Sequence, residues 1–246
     1  EPDIIDSTEY FNTVLYTGNG LTQNITGVGF EPDFVWMKAK NDTSGHQLYD
    51  TVRGATKRLR SQSTGYESTE STGLTSFDGD GFTLGSNVGS NENNKNYVSW
   101  NWLAGGTPTA TNSAGAGAVP TSGSVMIDGV ASTSALAGAI PATKISANTT
   151  AGFSIVSYTG NGSADQTIAH GLSSPPELTI IKDRDSNSNN NQWQIGSSVI
   201  GDKYVYFTTT APAGSAGVLP TSGDATTLTI ARTGNVANNT NESGRS

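Results

Sequence analysis

No cysteine occurs among the 246 residues, so neither a disulfide nor a thiolate metal site can hold this chain together. Histidine is nearly missing too: only His46 and His170 are available for imidazole chemistry. Charged residues make up 14% of the sequence, with a net charge of −8. An acidic surface repels phosphates, which excludes nucleic acid as an expected partner. No apolar run approaches the ~20 residues that a membrane-crossing helix needs, and no signal-peptide pattern opens the chain, so no membrane insertion is expected. The sequence starts Glu1-Pro2-Asp3, without methionine, and reads as a processed or excised piece. What is abundant is glycine, 30 residues of it, among runs of Ser, Thr and Asn. Gly and Asn tolerate the positive φ of tight turns, so this mixture suits many short strands joined by turns.

The chain repeats itself. Val14-Leu15-Tyr16-Thr17-Gly18-Asn19-Gly20 recurs as Val156-Ser157-Tyr158-Thr159-Gly160-Asn161-Gly162. Further on, Phe34 to Lys38 corresponds to Leu178 to Lys182, and Lys57 to Lys203. Phe82-Thr83-Leu84 corresponds to Leu228-Thr229-Ile230, and Asn87-Val88 to Asn235-Val236. A period of about 143 residues is too long for a solenoid and means tandem domains. Each copy reads as strands. Phe34 to Lys38 is an apolar run of strand length, and Phe82 to Leu84 follows the turn Asp78-Gly79-Asp80-Gly81. Tyr97 to Trp102 alternates, placing Val98, Trp100 and Trp102 on one face and Tyr97, Ser99 and Asn101 on the other. The bulkier face, with Trp36, is expected in the core. A short helix is expected only over Val52 to Arg60. The predicted fold is all-β: two tandem β-sandwich or jelly-roll-like domains, residues 1–103 and 152–246. A connector rich in Gly, Ala, Ser and Thr, residues 104–151, joins them. It is expected to be ordered and packed on one domain, with a strand and turn at Val125 to Gly129 and its most flexible part around 107–117. Counting across the repeat, the second copy stops before a counterpart of the strand Tyr97 to Trp102. That strand is expected to come from downstream residues or from a neighbouring subunit.

With these motifs in view, the sequence resembles a group of marine-phage structural proteins of the tail-fibre or tail-associated kind. The resemblance rests on Phe11 to Gly20, Gly29 to Trp36, Val52 to Lys57, Leu74 to Asp78, Gly81 to Gly85 and Thr149 to Val156. It implies a virion location, on the tail or particle surface, and a structural or adhesive role. It also implies other copies of the chain, a trimer among the forms, and other virion proteins or a host surface glycan as partners. It supplies no catalytic residues. Two further readings stay open: a carbohydrate-binding module with exposed aromatics in a groove, and a capsid decoration protein with one flat face on a lattice.

Residue by residue, the chemistry is thin. Asp78-Gly79-Asp80-Gly81 begins like a calcium loop, but Phe82 and Gly89 stand where further oxygen ligands belong, so it reads as a turn. His46 and His170 read as surface or turn residues. The Gly-Asn-Gly strings read as hairpin turns, since neither leads into a phosphate-binding Lys-Ser/Thr helix. The expectation is a protein without enzymatic activity, metal or cofactor. Arg53, Lys57, Arg58 and Arg60 gather four cations within eight positions. They are the candidate contact for an anionic ligand or a neighbouring subunit, weighed against a merely solvated cluster.

Overall fold

The computed structural model describes residues 6–163, 166–185, 192–200, 203–208, 214–215 and 223–230. After a single 3-10 turn at Ser7–Glu9, the first copy runs through β1 (Phe11–Thr17), β2 (Gln23–Thr26), β3 (Phe34–Ala39) and β4 (Gln47–Asp50). It continues through β5 (Lys57–Arg58), β6 (Ser68–Thr69), β7 (Leu74–Asp78), β8 (Gly81–Leu84), the one-turn helix α1 (Val88–Asn91) and β9 (Asn96–Trp102). One sheet has the order β1-β9-β3-β4 and the other β2-β8-β7. Between them lies the core: Ile25, Val35, Met37, Tyr49, Leu74, Phe82 and Leu84, with Val14, Tyr16 and Phe77 packed against it. Strand alternation sends every second side chain of β3 inward, so Val35, Met37 and Ala39 are buried while Phe34, Trp36 and Lys38 are not.

The second half opens with β10 (Val125–Ile127), β11 (Val130–Ala131), β12 (Ala142–Asn148) and β13 (Phe153–Tyr158), forming a sheet of order β11-β10-β12-β13. β14 (Gln166–Ala169), β15 (Leu178–Ile181), β16 (Gln194–Ser197), β17 (Lys203–Tyr206), β18 (Gly214–Ser215) and β19 (Thr227–Ile230) follow. They pair as β15-β16-β17-β18 and β14-β19. Here the core gathers Val125, Leu136, Ile140, Ala142, Ile145, Ala147, Ile168, Ala169 and Ile230. The expected connector is thus built into the second copy, because β10 and β12 pair in parallel and β12 pairs with β13. Asp128 (φ 51) and Gly129 (φ 81) make the turn from β10 to β11.

The repeat is visible in strand register. Ile25 faces Phe82 in the first copy, and Ile168 faces Leu228 in the second. Val35 faces Tyr49 as Thr179 faces Gly196. Lys57 faces Thr69 as Lys203 faces Ser215. Even the lone lysines behave alike: Lys38 Nζ donates to the carbonyl of Ala39 at 2.6 Å, and Lys182 Nζ to that of Asp183 at 2.7 Å. Residues 231–246, after which the repeat places the expected counterpart of β9, lie outside the described residues.

The passage from one copy to the other is short and fixed. Asp33, buried at the start of β3, accepts from Thr51 Oγ1 (2.8 Å) and from the amides of Ala104 (2.8 Å) and Gly106 (3.0 Å). Between those two, the Gly105 amide donates to Ser146 Oγ of β12, and its carbonyl accepts from Gly129 N. A Cβ at Gly105 would collide with backbone atoms of Met126 and Ala147, so only glycine fits this wedge.

Three expectations fail. No helix forms over Val52 to Arg60: Gly54 (φ 100) and Thr56 (φ 69) break it, and β5 follows directly. The first Gly-Asn-Gly does not close a hairpin. It carries the chain from β1 to β2 in the opposite sheet, and Asn91 of α1 holds it, accepting from Asn19 N and donating to the Leu21 and Gly85 carbonyls. Most consequentially, the tryptophan face of β9 is not the core face. Tyr97, Ser99 and Asn101 are fully buried, whereas Val98, Trp100 and Trp102 are half-buried on the outer side. The polar inner residues are accommodated by hydrogen bonds: Tyr97 Oη donates to Val88 O, Ser99 Oγ to Val14 O and Asn101 Nδ2 to Asn12 O.

Candidate functional site

The outer aromatic face is a seam between the two copies. Phe153 stacks on Trp102 (centroids 5.9 Å apart, planes 22°) and lies 6.1 Å from Phe34. Phe207 meets Trp36 edge-on at 5.8 Å. Trp193 is buried against Leu48 and Leu59, and its Nε1 donates to Arg60 O at 2.8 Å. Trp36 Nε1 donates to His46 Nδ1 at 2.7 Å, so His46 braces this face. His170 is also structural, and it is buried rather than on the surface. Its Nδ1 accepts from Leu172 N at 3.1 Å, which places the proton on Nε2, 3.2 Å from Asp224 O.

At the rim of this seam, the four candidate cations separate. Arg53 is buried: its Nε pairs with Asp50 Oδ2 at 2.6 Å, and its guanidinium also reaches the Lys57 and Leu48 carbonyls and Glu67. Lys57 Nζ donates to Thr69 Oγ1. Both serve the β4–β5 corner. Arg58 and Arg60 instead line an open depression of ≈ 180 Å³ with Ser63, Gly65, Tyr66 and Ser68. Arg58 keeps one ion pair, to Glu70 Oε2 at 3.1 Å. Arg60 is exposed, and partial desolvation, then the Arg58 charge, draw its guanidinium below its ordinary value. Tyr66 is 54% exposed, an amphipathic ring in a loop.

The second copy fixes that loop. The Glu67 amide donates to Arg184 O, Arg184 Nη1 pairs with Glu67 Oε2 at 3.3 Å, and Lys182 Nζ donates to Thr64 O at 3.3 Å. Burial brings the Lys182 ammonium down to about 8. Two guanidinium groups, an exposed phenol ring and two serine hydroxyls can grip an anion while stacking an apolar ring face. The cation run marked this place. Tyr66 went unremarked, and its only signal was an aromatic isolated in the polar stretch from Ser61 to Ser71.

The acidic turn is engaged elsewhere. Asp80 joins the Gly27 and Gly29 amides through its two carboxylate oxygens, which hold its pKa low, Gly29 contributing most. Asp78 Oδ2 accepts from Thr83 Oγ1 at 2.6 Å.

No curated protein and no solved structure matches the chain. A family match does cover it, first over residues 6–129 and again over 125–245, the second beginning at β10 inside the segment read as connector. With two tandem matches spanning nearly its whole length, the chain belongs to the family described as Domain of unknown function (DUF7483).

Proposed function

We propose that this chain is a structural component of a phage virion, part of a tail fibre or tail appendage, with an adhesive task. It would present a rigid double sandwich and hold an anionic saccharide of the host surface in the Arg58, Arg60 and Tyr66 depression. The observation that carries the reading is the pairing of Arg60 with the exposed Tyr66 ring on a loop braced by both copies. Charged sugar polymers offer carboxylates or sulfates for the guanidinium groups and an apolar ring face for the phenol. The resemblance to tail-associated proteins supports the virion setting. A non-enzymatic role accords with the described histidines: His46 Nδ1 is engaged with Trp36, and the two ring nitrogens of His170 with Leu172 and Asp224. The alternative of sugar stacking on the tryptophans is disfavoured, because Phe153 and Phe207 pack on Trp102 and Trp36.

Titration calorimetry with a polyuronate, against neutral dextran, tests the site. Binding of the polyuronate alone is expected, weakened by salt and weakened about 10-fold by Arg60→Ala, a loss of one charge-assisted contact. Equal binding of both polymers, or no effect of R60A, refutes the site. Mass spectrometry of purified particles, finding or missing this chain, tests the virion setting.

A further inference from the structure

The stretch from Arg60 to Glu67 carries Arg60, Ser63, Gly65 and Tyr66 into the depression, and its own copy holds it loosely. Among the described residues, Ser61 to Glu67 make one backbone–backbone hydrogen bond within that copy, from Ser63 N to Arg60 O at 3.2 Å. Side chains add His46 N to Gln62 Oε1, Gly65 N to Ser63 Oγ and Arg53 Nη1 to Glu67 Oε2. The second copy holds the same stretch at both ends and in the middle. Trp193 Nε1 donates to Arg60 O at 2.8 Å, and Lys182 Nζ to Thr64 O at 3.3 Å. Arg184 takes the Glu67 amide on its carbonyl at 2.9 Å and the Glu67 carboxylate on its guanidinium at 3.3 Å. The repeat shows that these contacts belong to the junction. By strand register, His46 is the counterpart of Trp193, and Lys38 that of Lys182. His46 and Lys38 bond inside the first copy, to Trp36 and to the Ala39 and Asp42 carbonyls. Trp193 and Arg184 stand where the first copy has His46 and Lys40. Both exchanges supply a donor suited to crossing: an indole N–H on a large buried ring, and a planar guanidinium for a carboxylate.

We propose, resting on this depression as the saccharide site, that its affinity is set from the second copy, with Trp193 and Arg184 as positioning residues. Neither of them lines the depression. Each acts through the backbone it holds. Trp193 fixes the carbonyl of Arg60, and with it the direction of that guanidinium, while Arg184 fixes the residue that follows Tyr66. A site assembled only part of the time shows an affinity reduced by the assembled fraction. Cutting a tie from behind therefore weakens binding without removing a single ligand contact. By linkage, the bound polymer strengthens the junction by the same factor. The two sandwiches then act as one binding unit.

The experiment is titration calorimetry of the full chain with a polyuronate, for wild type, Trp193→Phe, Arg184→Ala and Val130→Thr. W193F keeps an aromatic ring against Leu48 and Leu59, changes no charge and removes the donor to Arg60 O. It and R184A are each expected to weaken binding about 5-fold, the worth of one net hydrogen bond. V130T, which alters an exposed residue of β11 in the same copy, should bind like wild type. Double variants separate positioning from general damage. Combined with R60A, W193F should cost no further affinity, because the group it positions is gone, whereas independent effects would add. R184A combined with Tyr66→Ala should likewise cost nothing more, and this pair decides the matter if circular dichroism shows W193F unfolded. No polyuronate binding by the wild type, or no effect of R60A, would remove the site and its control together. Binding that R60A weakens but W193F and R184A leave unchanged, or losses that add in the double variants, would keep the site and overturn its control by the second copy.

Discussion

Replacing Asp33 tests whether the two copies are joined by a clamp or only by chain continuity. In Asp33→Ala, the Thr51 hydroxyl, the Ala104 amide and the Gly106 amide all lose their acceptor. Thr51 and Ala104 are 2% and 3% exposed, so water cannot replace the carboxylate there, whereas Gly106 can be partly hydrated. A buried donor left without a partner costs about 1–3 kcal/mol. Against that stands relief from keeping a carboxylate buried, a strain evident in its pKa, which desolvation raises above 3.8 despite three hydrogen bonds. The expected net loss is about 2–4 kcal/mol. Asp33→Asn should cost far less, about 1 kcal/mol, because its oxygen can accept both amides while its nitrogen donates to Thr51. The sign of the pH effect also follows. The folded chain holds this proton more tightly than the unfolded chain, so between 3.8 and the raised value the wild type loses stability as pH rises. D33N should lack that loss. Urea unfolding of the three proteins, followed by circular dichroism at pH 4 to 7, measures both effects. A D33A loss no larger than that of D33N would refute the clamp.

Two further outcomes are expected. Trp193→Ala should destabilise by about 3 kcal/mol and split a shared calorimetric transition in two, because Trp193 links Leu48, Leu59 and the Arg60 carbonyl to the second copy; an unchanged single transition would contradict this. Lys182 is depressed from 10.5 to about 8 by burial, so its contribution to stability should improve as pH rises from 8 toward 10.5; Lys182→Met should remove that rise, read as melting midpoints across the window.

The strands were legible because their residues speak locally. The Asp-Gly-Asp-Gly turn, the apolar run from Phe34 and the doubled Val-x-Tyr-Thr-Gly-Asn-Gly fix element positions and the tandem plan without any contact information. Which face of β9 points inward was not legible. Bulk favoured Trp100 and Trp102, but burial there is decided by Phe153 and Phe207 from the other copy, which alternation within one strand cannot report. Tyr97, Ser99 and Asn101 read as a polar face, and only the carbonyls of β1 and α1 make it a buried one. The candidate site divided for a similar reason. Eight positions of sequence held four cations, yet Asp50 and Glu67 draw Arg53 inside while Arg60 stays out.

The junction at Ala104-Gly105-Gly106 changes what the segment after it is for. Thr109 N and Ala110 N both donate to Gly123 O, so residues 109–123 leave and return at one point. Asn112 closes the inside, accepting from Ala114 N and Thr121 N and donating to Ala142 O. A stretch whose ends meet sets no distance between the halves, so its length is free to vary. Doubling such a loop costs only about 0.6 kcal/mol in closure entropy. Reporter peptides or whole folded cargo inserted near Gly115–Gly117 would ride on the side of the chain, leaving the spacing of the two sandwiches as it was.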